Sequence, residues 1–208
     1  MMSESGFFSG LSVVIAMKAD EDPQWVTEMI SVARFECSEI VLVVEARADV
    51  TAIRPALGAF GEKVRIIHQT GIGKADALNR GLLEAKNVHV VFLDCDVALE
   101  PQQLTTVLDM LQDPEDPAEF VSVAYGMRPP QIAASAFCSG WFFGAKRSTF
   151  IEVGGWSEGF VEDIETGRKI LRSKHTIRVA RFSVKLRRPV RRPATKFLSV
   201  LASFGRRE

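Results

Sequence analysis

GKADALNRGLLEAKNVHVVFLDCDVALEP, residues Gly73–Pro101, decides how the chain must fold. Ala75, Leu78, Leu82 and Ala85 recur at helical spacing and predict an amphipathic helix over Lys74–Lys86. His89–Leu93 (HVVFL) follows as an apolar run without alternation, which predicts a strand buried on both faces. Such a strand needs a covering layer on each side, so an α/β fold is implied, with a mainly parallel, Rossmann-like sheet flanked by helices. Asp94 and Asp96 come directly after this strand. Ligands of parallel sheets bind beyond the carboxyl ends of the strands, which is where these two aspartates fall.

The same alternation extends outward from this stretch. Leu11–Met17 (LSVVIAM), Glu39–Glu45 (EIVLVVE), Val64–His68 (VRIIH) and Phe120–Tyr125 read as further strands. Pro23–Phe35 reads as a helix with Asp22 as N-cap and Pro23 at its first position. Pro101–Leu111 is another helix, and Asp49–Phe60 a weaker one interrupted by Pro55. Beyond residue 113 the elements shorten, punctuated by Pro114, Pro117, Pro129 and Pro130, and residues 114–182 read as the second half of the same domain. Residues 1–186 are expected to form a single domain and 187–208 a basic C-terminal tail. RRPVRRP (187–193) reads as extended, because each proline restricts itself and its predecessor. Ala194–Phe204 can form a short amphipathic helix edged by Phe197, Leu198, Leu201 and Phe204.

Composition narrows the function classes. The 208 residues are 47% hydrophobic and 25% charged, which suits a packed core and excludes a disordered chain. The formal net charge is zero, so no nucleic-acid partner is expected. Charge is nevertheless uneven: nine of the 26 basic residues lie from Arg181 onward, opposed there by Glu208 alone. That tail suits an anionic partner such as a membrane surface; a solvated or packed tail is the other reading. Cys37, Cys95 and Cys138 show no zinc or redox spacing, which fits a reducing cytoplasm. No leader-like segment and no uncharged apolar run of about 18 residues is visible, so no membrane span is expected.

Four clusters offer chemistry. Asp94 and Asp96, spaced i, i+2 at a strand end, can converge on a hard divalent cation, although aspartate is also a common turn former. Gly71-Ile72-Gly73-Lys74 runs into a helix start, where backbone N–H groups favour anions; Lys74 is a candidate phosphate or donor contact, and Asn79 a candidate brace for the aspartate loop. Gly154-Gly155-Trp156 precedes Glu162 and Asp163, which open a helix. A carboxylate there can take a proton from a hydroxyl, or merely complement the helix dipole. Glu45, with Asp49 beyond it and Lys18–Asp20 at the first strand end, can meet a nucleobase or ribose, or be ordinary loop charge.

The ordered set of Gly73–Pro101 and FFGAKRSTFIEVGGWSEGFVEDIETGRKI (Phe142–Ile170) resembles family-2 GT-A glycosyltransferases over roughly residues 11–182. The resemblance implies inverting, metal-dependent transfer of a single sugar from a nucleotide-diphosphate sugar to an acceptor hydroxyl. It implies Asp163 as catalytic base with Glu162 beside it, and Asp94 and Asp96 at a Mn²⁺ or Mg²⁺ that bridges the diphosphate. Gly155 and Trp156 would line the acceptor pocket, Glu45 would meet the nucleotide, and Lys74 would contact the donor. A sugar or lipid-linked acceptor is implied, with a cytoplasmic enzyme peripheral to the inner membrane face. The sequence departs from the family at Ala16–Asp20 and Glu45–Asp49, which stand where Pro-x-x-Asn and Asp-Asp-x-Ser segments are usual. The Gln-x-x-Arg-Trp motif of processive members is absent. The usual late histidine is also absent; Lys185 or Arg187 falls nearer its place, and His175 reads as a surface residue. Two other readings stay open: a nucleotidyltransferase, disfavoured by the acidic, glycine-free loop after the first strand, and a non-catalytic GT-A-like binding protein.

Overall fold

The computed structural model describes residues 10–58, 60–123, 140–159, 162–182 and 184–187. Strands β1 (Leu11–Met17), β2 (Glu39–Val44), β3 (Val64–His68) and β4 (His89–Asp94) alternate with helices α1 (Pro23–Glu36), α2 (Arg54–Gly58) and α3 (Lys74–Glu84). Then come the two-residue β5 (Val97–Ala98), α4 (Pro101–Leu111), β6 (Phe120–Val123), β7 (Phe142–Lys146) and α5 (Arg147–Glu152). Helix α6 (Glu162–Arg172), β8 (Ile177–Ala180) and the short β9 (Lys185–Leu186) complete the described elements. Where the sequence reading set bounds, the elements follow them closely except at α2. There the Asp49 carboxylate accepts hydrogen bonds from the Thr51 N–H (2.8 Å) and hydroxyl (2.6 Å). This local turn competes with helix, so the helix begins only next to Pro55.

One seven-stranded sheet runs in the order β3-β2-β1-β4-β7-β6-β8. Neighbours are parallel except at β7, which is antiparallel to both β4 and β6. On one face Leu11, Val13, Ile15, Ile40, Leu42, Val91 and Leu93 pack under α1 and α4. On the other, Val14, Val41, Val43, Val90 and Phe92 pack under α3, α5 and α6. Every residue of β2 is buried, as a doubly covered strand requires. Asp22 caps α1 by accepting the Gln24 N–H (2.9 Å), with Pro23 at the first helical position. Among the described residues no helix is long and apolar enough to cross a membrane.

The register sets what lies at each end of the sheet. Met17 pairs with Val44, Val44 with His68, and Ala16 with Asp94, so four parallel strands end level with one another. Because β7 runs the other way, its first residues join that same edge: the Asp94 N–H donates to the Trp141 carbonyl (2.9 Å). The opposite edge carries a buried polar cluster. Glu39 accepts from the Ser12 hydroxyl (2.7 Å), the Lys86 N–H (2.9 Å) and the Arg65 guanidinium (2.8 Å). Burial pushes its carboxyl up, but these hydrogen bonds and the Arg65 charge outweigh that and hold it below the usual range.

Helix α3 lies close to the sheet because Gly81 faces it. A Cβ at Gly81 would meet Val14 Cγ1 at 2.2 Å and Val43 Cγ2 at 3.2 Å. Replacing an interior helical glycine by alanine ordinarily stabilises by about 1 kcal/mol. Here overpacking is expected to reverse the sign: Gly81→Ala should destabilise by about 1–2 kcal/mol. At roughly 2–4 °C per kcal/mol, thermal unfolding should fall by several degrees. A Gly81→Ala variant that melts higher than the parent would refute this close approach.

Candidate functional site

The level strand ends bring several sequence-predicted residues to one edge. Asp94 ends β4, and Cys95 and Asp96 form the turn into β5. Cys95 is buried and its thiol donates to the Ala16 carbonyl (2.8 Å), so the middle of the triplet is anchored in the sheet. Burial, reinforced by the neighbouring carboxylates, pushes that thiol well above its ordinary pKa, so it stays neutral. Asp94 and Asp96 on either side are only half-buried. The backbone carbonyl of Asp96 accepts the Arg187 N–H (2.7 Å) where β9 pairs with β5.

Lys74 is the hub of the site. It is the first residue of α3, after Gly73, whose φ of 89° is one that L side chains rarely adopt. Its ammonium lies 2.6 Å from Asp94 Oδ1 and 2.7 Å from Oδ2, and donates also to the Gly140 carbonyl. A Cβ at Gly140 would lie 3.4 Å from both Lys74 Nζ and Asp163 Cβ, so Asp163 borders the same space. Burial works against the Lys74 charge. The Asp94 charge and hydrogen bond, with the charges of Glu162 and Asp163, outweigh it and raise the Lys74 pKa above its ordinary value. Lys74, Asp94, Glu162 and Asp163 thus form one electrostatic cluster built from β4, α3 and α6.

Glu45 stands apart from that cluster, after the end of β2, which β1 separates from β4. Its carboxylate accepts the Ala19 N–H (3.0 Å) and its own N–H donates to the Met17 carbonyl (2.9 Å), tying together the two loops that depart from the family pattern. The glycine turn before α3 is closed by its own side chains. The Gly71 N–H donates to Asp76 (2.9 Å), and Gln69 Nε2 donates to the Gly73 carbonyl (2.9 Å).

One expectation is corrected. Asn79 braces the Gly-Gly-Trp turn, not the aspartate loop: its Nδ2 donates to the Trp156 carbonyl (2.9 Å) and its Oδ1 accepts the Trp156 N–H (2.8 Å). Gly155 and Trp156, expected beside the acceptor, are buried in this conformation. The Trp156 ring is 2% exposed and meets Phe92, Phe143 and Phe150 edge-on at centroid distances of 5.3–5.6 Å. Gly155 has φ 58°, and a Cβ there would come within 2.5 Å of Asn79 Oδ1. His175, partly exposed in the turn after α6, has its Nδ1 paired with Glu119 at 2.8 Å and Phe120 beside the ring.

The sequence reading missed Gly140 and Lys169. Lys169 donates to the carbonyls of Gly154 (3.1 Å) and Gly155 (2.8 Å), and the Ser157 N–H donates to Thr166 Oγ1 (2.8 Å). These bonds hold the Gly-Gly-Trp turn against α6, which carries Glu162 and Asp163. The residue types alone gave no signal for them, since a glycine and a helical lysine are common everywhere. Residues 188–208, where the basic tail and its amphipathic segment were expected, lie outside the described residues, as do Cys138, Val161 and 124–139.

Among the described residues no three His, Cys, Asp or Glu side chains gather to hold a metal by themselves. The donor set present is two half-buried carboxylates spaced i, i+2 around an anchored Cys95. It fits a hard cation that takes one or two carboxylates and completes its shell with phosphate oxygens.

Solved structures share this fold. The fold matches that of mannosyltransferase PcManGT from Pyrobaculum calidifontis, solved with GDP-Man and Mn²⁺ (TM-score 0.70, 23% identity). That match covers 87% of this chain but only 58% of that one. Mannosyl-3-phosphoglycerate synthase from Rubrobacter xylanophilus matches at TM-score 0.73 and 18% identity, covering 95% of this chain and 73% of that one. Glucosyl-3-phosphoglycerate synthase from Mycobacterium tuberculosis, solved with UDP, matches at TM-score 0.69 and 19% identity, covering 90% and 74%. At these identities the likeness is one of fold. No curated protein matches the chain. The sequence model of Glycosyl transferase family 2, in contrast, matches residues 22–154, which take in the Lys74 helix, the two aspartates and the start of the Gly-Gly-Trp turn. The chain therefore has the GT-A fold and belongs to glycosyl transferase family 2.

Proposed function

We propose that this chain transfers one sugar, with inversion, from a nucleotide-diphosphate sugar to an acceptor hydroxyl. The observation that carries this reading is the single cluster in which Lys74 joins Asp94 at the end of β4 to Glu162 and Asp163 at the start of α6. It sets a phosphate-seeking cation and a candidate metal ligand beside a candidate base, at the strand edge where parallel sheets bind ligands.

In this reading Glu45 and the loop it holds meet the nucleoside, and Lys74 meets the diphosphate. Asp94 and Asp96 hold a Mn²⁺ or Mg²⁺, which would supply Lewis-acid stabilisation of the leaving nucleoside diphosphate. Glu162 positions the acceptor. The Asp163 carboxylate takes the hydroxyl proton as the acceptor oxygen bonds to the anomeric carbon. The bond from that carbon to the diphosphate oxygen breaks on the opposite side, so configuration inverts and the nucleoside diphosphate leaves. Gly155 and Trp156 serve this site from beneath, fixing α6 through the Gly-Gly-Trp turn. The basic residues after Arg187 meet an anionic membrane surface and bring the site to a lipid-linked acceptor. Supporting this, β9, which precedes that segment in the chain, pairs with β5 beside the Asp96 turn.

Thermal unfolding with a panel of nucleoside diphosphates and their sugars, each with and without Mn²⁺, tests the donor site. One nucleotide should raise the melting temperature only when metal is present, since a ligand well above its Kd stabilises the native state. No rise with any nucleotide would sink the donor reading. Asp96→Ala should abolish the metal-dependent part of the rise; an unchanged rise would remove Asp96 from the metal. Asp163→Asn should leave donor affinity nearly intact while transfer falls by about 10²-fold or more. Unchanged turnover would take the base role from Asp163.

A further inference from the structure

Lys74 occupies ground that a bound metal would contest. One ammonium covers both oxygens of Asp94, at 2.6 and 2.7 Å, and is held there additionally by the Gly140 carbonyl. A Mg²⁺ or Mn²⁺ ligated by either oxygen, at about 2.1 Å, would stand within about 5 Å of that ammonium. Like charges so close repel, and the site is half-buried, where water screens them poorly. The two cations therefore compete for Asp94 unless further negative charge arrives. A nucleoside diphosphate brings it: its oxygens can accept the ammonium and complete the metal shell at once.

Resting on the donor-site reading above, we infer that Lys74 is the resident counter-ion of the metal site, holding Asp94 until a nucleoside diphosphate draws the ammonium onto its phosphates and frees Asp94 for metal. Metal binding then depends on nucleotide, and Lys74 makes it so. Glu162 and Asp163 belong to the same balance. While Lys74 is on Asp94 it also offsets the two acidic residues at the start of α6, and its move toward phosphate keeps a positive charge in the site. Arg187, which follows β9 beside β5, is not that cation, because its guanidinium is turned to Glu28 of α1 at 2.5 Å.

A lysine that merely touched phosphate would behave differently. Its removal would weaken nucleotide binding and leave affinity for metal alone unchanged. A counter-ion moves the two in opposite directions. The test is Mn²⁺ titration of the full chain by electron paramagnetic resonance, without nucleotide and then with UDP, GDP or each other nucleoside diphosphate. Parent, Lys74→Met and Lys74→Gln are compared. Lys74→Gln keeps a donor for the Gly140 carbonyl while removing the charge, so the test survives if the methionine variant fails to fold.

Without nucleotide, both variants should bind Mn²⁺ about fivefold or more tighter than the parent, with the gain erased by adding Asp94→Asn. With the cognate nucleotide and metal together, both should bind the nucleotide more weakly than the parent. Equal Mn²⁺ affinity of parent and variants without nucleotide, alongside nucleotide-dependent Mn²⁺ binding in the parent, overturns the counter-ion role alone. No Mn²⁺ binding by any of the proteins with any nucleotide overturns the donor-site reading and this inference with it. A gain that persists with Asp94→Asn assigns the extra metal elsewhere and also overturns it.

Discussion

Burial of β1, β2 and β4 on both faces is the constraint from which the rest of the structure follows. Strands without a wet face cannot carry charged side chains along their length, so their carboxylates lie at the strand ends, Glu39 where β2 begins and others where the strands leave the sheet. Glu45 follows the last residue of β2, and Asp94 ends β4. Because the register makes these ends level, charges distant in sequence come to one edge of the sheet without any loop having to reach for them. Strand β7 completes the arrangement by running the other way. Its antiparallel pairing with β4 brings the residues before it, Gly140 and Trp141, back to Asp94. A parallel β7 would have delivered them to the opposite edge, beside Glu39.

Acidic side chains gathered this way repel one another, and the structure answers with one cation placed from a third element. Lys74 starts α3, where a positive charge opposes the helix dipole. That unfavourable position is tolerated because the ammonium does not stay at the helix end; it crosses to Asp94 and Gly140. The helix start itself is served by Asp76, whose carboxylate is bound to the Gly71 N–H. Division of labour between Asp76 and Lys74 explains how one short turn keeps its own geometry and still supplies a cation to the site.

The strands and long helices were legible in the sequence because burial on two faces and helical spacing leave direct patterns. Lys74, Asp94, Glu162 and Asp163 were legible as separate candidates; their meeting in one cluster was not, because it depends on the direction of β7. Apolar content marks a strand without giving its direction. The placement of Trp156 was hidden for a related reason. Gly155 and Ser157 on either side of this tryptophan give no sign of whether it is buried. Its burial is decided by Phe92, Phe143 and Phe150, which come from β4, β7 and α5 and share no local pattern with it. Asn79 was identified as a brace, but its partner could not be read off, since an asparagine side chain can satisfy any backbone N–H and carbonyl pair brought within reach.

The departures from the family pattern gain meaning from the same geometry. The late position where a histidine is usual is taken by β9, which pairs with β5 right after the two aspartates. Yet what β9 brings to that turn is backbone: the Arg187 N–H holds the Asp96 carbonyl, while the Arg187 side chain leaves for Glu28 on α1. The turn is thus fixed in place without a further side-chain ligand beside Asp96 being read from Arg187. Among the described residues the candidate donors there are the carboxylates of Asp94 and Asp96, and a cation held by these two has most of its shell left to fill. A ligand rich in oxygens, with enough negative charge to draw Lys74 from Asp94, meets both demands at once, and a diphosphate has that chemistry.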